Sequence, residues 1–100
     1  MIIYNETFII DDGVNKEWLN WMQTVHIPAV MATGLFNSYR ILNVMDSPNE
    51  GATYCIQYHA DTIENYYQFK DKHRQYLQDA HSKQFENKFV LFDTLMQTID

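Results

Sequence analysis

The side chain best suited to acid–base chemistry in this sequence is the imidazole of His26, which stands two positions before Pro28. An imidazole titrates near neutral pH, so it can accept or donate a proton during a reaction. A proline has no N–H for the carbonyl four residues earlier, here that of Thr24. We therefore treat His26 as a candidate catalytic residue. The alternative is a structural histidine that caps this carbonyl or packs beneath a sheet.

Four further polar side chains form a candidate ligand-binding group, because alternation along two predicted strands places them on one face of a sheet. They are Asn5, Thr7, Gln57 and His59. Buried polar groups need hydrogen-bond partners, which either a small ligand or ordered water can supply. The sequence leaves both alternatives open.

The sequence contains no signature of a metal or cofactor site. Its four histidines lack a ligand spacing such as H-E-x-x-H, and its three glycines form no phosphate-binding loop. Cys55 has no basic neighbour in the sequence, so we predict a buried strand cysteine rather than a reactive thiolate. We therefore predict that the protein works with no metal and no cofactor.

Charge and hydropathy narrow the class of partner. The formal net charge is -6, from 13 acidic and 7 basic side chains, whereas nucleic acids and anionic membranes attract a positive surface. No apolar run approaches the roughly 20 residues that span a bilayer, and the apolar start Met1–Tyr4 has no basic residue before it. A single cysteine excludes an intrachain disulfide and fits a reducing compartment. We expect a cytoplasmic protein that binds neither nucleic acid nor membrane.

The elements that must position these residues follow from hydrophobic periodicity and turn signals. The predicted order is a strand at 2–10, a helix from Asn15, strands at 36–45 and 52–60, a helix from 61 to about 87, and a strand at 88–99. This βαββαβ order predicts a single α+β domain over residues 1–100 with a ferredoxin-like fold. Its four-stranded antiparallel sheet carries two helices on one face.

Each predicted helix has an apolar stripe that faces the sheet. In the first helix the stripe is Trp18, Met22, Val25 and Ala29, with a kink expected near His26 because of Pro28. The second helix begins with a capping box at 61–64 and is expected to be continuous. Its stripe consists of Tyr66, Phe69, His73, Tyr76, Leu77 and Ala80.

Two helices cover only one face of a four-stranded sheet, so the faces can be assigned from alternation. We expect the helices to cover Tyr4, Phe8, Ile10, Tyr54, Ile56 and Tyr58, with Glu6 as a polar exception. The second face is expected to hold Ile3, Asn5, Thr7, Ile9, Thr53, Cys55, Gln57 and His59, with Tyr39, Ile41, Asn43, Val90, Phe92, Thr94 and Met96 from the outer strands.

This second face is too apolar to be left in water and too polar for an ordinary core. If two copies pack sheet against sheet, apolar residues seal the contact and polar residues line a lumen. The sequence therefore predicts a homodimer whose two packed sheets enclose a lumen that accommodates a small hydrophobic molecule.

Arg40 is a fifth candidate for ligand binding, because a guanidinium can bind a carboxylate through two parallel hydrogen bonds. We expect its side chain on the helix-covered face or at the rim of the lumen. The alternative to a ligand is an ion pair with Asp93 or Glu6.

The segment 18–36, WLNWMQTVHIPAVMATGLF, resembles a family of short uncharacterised bacterial proteins known as a domain of unknown function. The likeness extends to 1–5, 54–58 and 88–90, and so covers nearly the whole chain. The spacing of Trp18, His26, Pro28 and Gly34 also resembles the first helix of the EthD-like group. Both groups belong to the dimeric α+β barrel superfamily, so the resemblance implies a homodimer with this barrel.

Members of that superfamily include haem-degrading monooxygenases, other oxygenases, isomerases and proteins with no known activity, so the resemblance implies no particular reaction. A haem-degrading relative uses a helix histidine, a strand-one Asn and a strand-three Trp. His73 and Asn5 match the first two, but strand three has Tyr54 and Tyr58 and no Trp. A core histidine bonded to a tyrosine is the alternative for His73.

Two functions follow as hypotheses. The first is a binding or accessory protein with a small lumen pocket. The second is a small cofactor-free oxygenase or isomerase in which His26 or a lumen group moves protons. The absence of a clear acid–base pair in the sequence favours the first.

Overall fold

A computed structural model describes residues 1–100 of the chain and contains one four-stranded sheet. The strands are β1 (Ile2–Ile10), β2 (Ser38–Asn43), β3 (Ala52–Ala60) and β4 (Phe89–Gln97). They pair antiparallel in the order β2-β3-β1-β4. This is the ferredoxin-like arrangement that the sequence predicted.

Two helical segments connect the strands on one face of the sheet. The first consists of a short 3-10 turn (Asp12–Val14), α1 (Asn15–Trp21), a π-helical turn (Met22–His26) and α2 (Ile27–Met31). The second consists of α3 (Ile63–Lys72) and α4 (Arg74–Gln84). None of these helices is both long enough and apolar enough to cross a membrane.

The hydrophobic core lies between the sheet and this helical layer. More than half of its buried members are aromatic, and their large side chains fill much of the space between the two layers. They are Tyr4, Phe8, Ile10, Trp18, Met22, Ile27, Val30, Phe36, Ile56, Tyr58, Ala60, Tyr66, Phe69, Leu77 and Phe85. The helix-covered face predicted for β1 and β3 is therefore confirmed.

The face assigned to β2 was wrong. Tyr39 pairs with Tyr58, and Ile41 pairs with Ile56. Directly opposed residues of neighbouring strands share a face, so Tyr39, Ile41 and Asn43 lie on the helix side. The error arose because β2 is an edge strand with apolar residues on both sides, which leaves the phase of its alternation undetermined.

The correction moves Arg40 to the uncovered face of the sheet. Arg40 pairs with Gln57, and the flanking Ser38 and Leu42 pair with His59 and Cys55. The four residues assigned to β4 lie on this face as predicted, because their register partners are alternate residues of β1.

The prediction of one continuous second helix was also wrong. His73 has φ -126 and ψ -35, outside the helical range, and separates α3 from α4. Tyr76 and Ala80 are exposed instead of facing the core, while Leu77 and His81 are buried. The buried stripe of α4 therefore runs at intervals of four residues.

Candidate functional site

The uncovered face of the sheet, called here the open face, carries a polar row across all four strands. Arg40, Gln57, Asn5 and Thr94 are successive cross-strand partners, so their side chains stand side by side. The sequence-predicted ligand residues Asn5, Gln57 and Arg40 are thus brought together. Thr94 completes the row because it lies opposite Asn5.

Asn5 is the most deeply buried member of the polar row, with 6% of its surface exposed. Its Nδ2 donates to Thr7 Oγ1 at 3.0 Å, and Thr7 Oγ1 lies 3.4 Å from Cys55 Sγ. Its Oδ1 is buried and has no hydrogen-bond partner. A buried carbonyl oxygen without a donor is costly, so the open face has an unfilled acceptor at its centre.

Apolar side chains flank the polar row and remain exposed. Along β4 on this face, Val90 is 50% exposed, Phe92 54% and Met96 37%. Apolar residues grouped in this way around polar groups are typical of an interface rather than of a solvated surface.

His59 and Arg40 lie at the β2 side of the open face. His59 Nδ1 is 3.1 Å from Ser38 Oγ, across the β2–β3 pairing. The ion pairs expected for Arg40 do not form, because Asp93 faces Arg74 at 3.8 Å and Glu6 faces His26. The Arg40 guanidinium is exposed and makes no salt bridge.

The π-helical turn determines where His26 points. Pro28 has no N–H for the carbonyl four residues before it, and the Ile27 N–H bonds to the Met22 carbonyl five residues before it. The wider turn rotates the following residues, so Val25 is 47% exposed while His26 is 4% exposed. The predicted kink is therefore this turn, and Val25 does not belong to the buried stripe.

His26 joins a cluster of polar groups beneath the sheet. Its Nε2 lies 3.8 Å from Oε1 of Glu6, which is itself 3% exposed. Its ring is 5.9 Å from the ring of His81, and His81 Nε2 accepts a hydrogen bond of 2.8 Å from Trp18 Nε1. This bond links the two helical segments through the core.

His81 is the residue that the sequence interpretation missed. Aromatic rings surround it, the nearest being Phe89 at 4.2 Å between centroids. Burial, and then the neighbouring His26, lower the pKa of His81 to about 4, so its imidazole is neutral near pH 7. The available signal was the spacing of Leu77, His81 and Phe85, which continues the stripe at intervals of four.

Two tyrosines extend the buried cluster. Tyr4 Oη donates to Asp93 Oδ1 at 3.1 Å and lies 3.4 Å from Glu6 Oε2. Tyr58 Oη and Glu6 Oε1 are both buried, and neither has a hydrogen-bond partner. Burial, reinforced by the charge of Glu6, raises the pKa of both phenols well above their usual value. Both hydroxyls therefore remain donors.

Two other features lie apart from these groups. His73, at the break between α3 and α4, is 3.0 Å from Tyr76 Oη, but it is half-buried beside an exposed tyrosine rather than in the core. An acidic surface hollow is lined by Asp11, Asp12 and Glu50 with Gly51. No group of three or more His, Cys, Asp or Glu side chains is arranged to hold a metal ion.

Sequence comparison identifies one family. The family described as "Domain of unknown function (DUF4286)" matches residues 1–99. No curated protein matches the chain in sequence. The resemblance derived from segment 18–36 is confirmed at the level of an uncharacterised family.

The fold is similar to those of several solved structures. An EthD family protein from Bacillus halodurans is 13% identical with a TM-score of 0.68, over 99% of this chain and 100% of that one. HapK from Hahella chejuensis is 9% identical with a TM-score of 0.71, over 99% and 93%. A dimeric ferredoxin-like protein from an uncultured marine organism is 10% identical with a TM-score of 0.70, over 100% and 96%. At these identities the likeness shows the fold alone.

Proposed function

The chain belongs to the DUF4286 family, and we propose that it is a homodimeric α+β barrel that binds a small molecule between two packed sheets. Each subunit contributes residues 1–100 as one domain. The observation that carries the proposal is the open face, which combines exposed apolar side chains with a polar row that contains a buried, unpartnered acceptor.

The second copy of the chain is the occupant that best fits the open face. A two-fold contact brings the same patch from each subunit together, so Val90, Phe92 and Met96 of both copies can seal one interface. A stable contact of this kind buries on the order of 800 Å² per partner. The similarity in fold to a protein described as dimeric and ferredoxin-like supports this arrangement.

The polar row suits binding better than turnover. Its side chains are two amides, a hydroxyl and a guanidinium, none of which titrates near neutral pH. Such groups orient a ligand, with Asn5 Oδ1 accepting from a donor group and Arg40 holding an anionic or carbonyl oxygen. The apolar flank suits the rest of a small hydrophobic molecule, with Thr7 and His59 at neighbouring positions.

The free thiol of Cys55 lies on the same face and is half-buried. A free thiol is stable where the surroundings are reducing. It supports a cytoplasmic location as part of the proposal.

Native mass spectrometry of the gently purified protein tests the proposal directly, because it reports subunit number and bound small molecules together. We expect a dimer that carries additional mass. A dimer without additional mass would support the interface and contradict the bound ligand. A monomer under dilute native conditions would contradict both.

A matched pair of valines sharpens the test of the interface. Val90 and Val25 are equally exposed in one subunit, at 50% and 47%, but only Val90 lies on the open face. Val90→Lys places two ammonium groups in a desolvated contact, so we expect a shift to monomer, whereas Val25→Lys leaves the dimer intact. Loss of the dimer in both variants, or in neither, would contradict the proposed interface.

A further inference from the structure

We propose a second site, on the helix side of the sheet, in which Glu6, His26 and Tyr58 bind one hydroxyl group and exchange its proton with solvent. The hydroxyl belongs to a water molecule or to a small aliphatic alcohol. This site lies on the opposite face from the proposed lumen and is complete within one subunit, so it stands independently of the dimer.

The first observation is a pair of unfilled hydrogen-bonding atoms. Glu6 Oε1 and Tyr58 Oη are both buried without a partner, in residues that are 3% and 0% exposed. They belong to the same sheet face and are diagonal neighbours, since Glu6 pairs with Ile56. A carboxylate oxygen accepts and a phenol donates, so one hydroxyl group between them satisfies both atoms.

The second observation is the distance between Glu6 and His26. At 3.8 Å, His26 Nε2 is too far from Glu6 Oε1 for a direct hydrogen bond. A polar contact of this length can be bridged by a third group that hydrogen-bonds to both atoms. A hydroxyl bound to Glu6 can serve both residues, which places an acid and a base on the same ligand atom.

The third observation is a chain of hydrogen-bonding groups that leads out of the core. Tyr4 Oη lies between Glu6 Oε2 and Asp93 Oδ1, and the Asp93 side chain is 32% exposed beside Arg74. A proton held on Glu6 can pass to Tyr4 while Tyr4 passes its own proton to Asp93. The exchange is balanced and forms no phenolate at Tyr4.

The size of the site limits its ligand. The one pocket of the structure is the acidic surface hollow, away from the core, so the buried cluster is not an open cavity and its ligand must be small. The Trp18 N–H occupies His81 Nε2, so this ring nitrogen cannot accept a hydrogen bond from the bound hydroxyl. Glu6, His26 and Tyr58 therefore remain as the partners of the proposed site.

A high-resolution crystal structure of the full chain, before and after soaking in ethanol, tests the binding site. We expect a water within hydrogen-bond distance of Glu6 Oε1 and Tyr58 Oη, and in the soaked crystal either that water or an ethanol hydroxyl. Ethanol in place of water extends the site to small alcohols, and water in both crystals restricts it to water. An empty position, or a direct bond from Glu6 to His26 or Tyr58, would overturn the proposal.

Near-isosteric variants separate the site from its surroundings. Glu6→Met removes both carboxylate oxygens and Tyr58→Phe removes the phenol hydroxyl, each with little change in volume, and we expect the bound hydroxyl to be lost in both. The matched controls Glu64→Met and Tyr67→Phe change the same residue types at exposed positions of α3 and should retain it. Retention of the hydroxyl in both core variants would assign it to other groups.

Exchange of the His26 ring proton with water, measured by NMR, tests the route to solvent. We expect Tyr4→Phe to slow this exchange on the order of tenfold, because the relay loses its central hydroxyl. Tyr67→Phe should leave the rate unchanged. An unchanged rate in Tyr4→Phe would overturn the proposed route through Asp93.

Discussion

Asn5 and Glu6 are adjacent in β1, yet they serve opposite faces of the sheet and meet opposite surroundings. Each leaves one buried oxygen without a partner, Oδ1 of Asn5 on the open face and Oε1 of Glu6 on the helix side. The Asn5 oxygen is neutral and faces a surface that a second molecule can cover. The Glu6 oxygen is ionisable and enclosed by the core. One strand thus presents an unpartnered neutral oxygen in one direction and an unpartnered ionisable oxygen in the other.

The surroundings explain this difference. On the helix side, Trp18 and Phe8 pack at 5.1 Å between ring centroids within a closed core. On the open face, Phe92 is 54% exposed. The hydrophobic core beneath the helices is therefore closed within one chain, whereas the open face is left uncovered.

The largest expected effect comes from truncating one aromatic residue on each face. Trp18 is fully buried and donates to His81, so Trp18→Ala should lower the free energy of unfolding by about 3–5 kcal/mol at every protein concentration. Phe92→Ala removes contacts to the proposed second copy, so its effect should grow as the protein is concentrated into the range where the proposed dimer forms. Urea denaturation at several protein concentrations measures both. If the loss of unfolding free energy were independent of protein concentration in both variants, the proposed contact of the open face with a second copy would be contradicted.

The second-largest expected effect is on the pH dependence of the free energy of unfolding, and it concerns only the helix side of the sheet. His81 has a pKa of about 4 in the folded chain against an ordinary 6.5, so the unfolded chain binds more protons between these values. Its contribution to stability is complete above pH 6.5 and is lost as the pH falls toward 4, by up to roughly 3 kcal/mol. His81→Gln should flatten this part of the curve of unfolding free energy against pH. His59→Gln, on the open face, should leave the slope in place; a slope that persists in His81→Gln would assign it to another group.

The smallest expected effect is that of Arg40→Gln on the open face. Arg40 is exposed and has no salt bridge, so its replacement should change the free energy of unfolding by less than about 0.5 kcal/mol. The proposed ligand should nevertheless be retained less well, as native mass spectrometry of the purified variant would show. Lys70→Gln removes another exposed charge, from α3, and should leave the bound mass unchanged. Equal retention in both variants would take Arg40 out of the binding site.

The sequence predicts the fold well wherever one side of an element is clearly apolar. In the middle of β1, large aromatic residues alternate with small polar ones, apart from Glu6, and this pattern assigns Tyr4 and Phe8 to the helix side and Asn5 to the open face. The edge strand β2 does not alternate cleanly, because Tyr39 and Leu42 are apolar but lie on opposite faces. Its phase depends on pairing with β3, which is not a local property of the sequence.

The candidate site was only partly predictable for the same reason. His26 was identified from its chemistry, but its partners come from β1 and α4, far away in the sequence. In the sequence, Glu6 is recognisable only as a polar exception in an apolar strand. The sequence interpretation misses His81 because it treats the second helix as continuous. The break at His73 has no proline or glycine to signal it.

Because of the π-helical turn, the number of residues in the first helical segment determines where the His26 imidazole lies. Buried positions along this segment are 18, 22, 26, 27 and 30, and the two successive intervals of four residues from 18 to 26 lead into and through the wider turn. Deleting a single residue between Trp18 and Pro28 would return the segment to regular periodicity and carry the imidazole away from Glu6. In a related chain, the number of residues between these two landmarks is therefore as informative as the presence of the histidine itself.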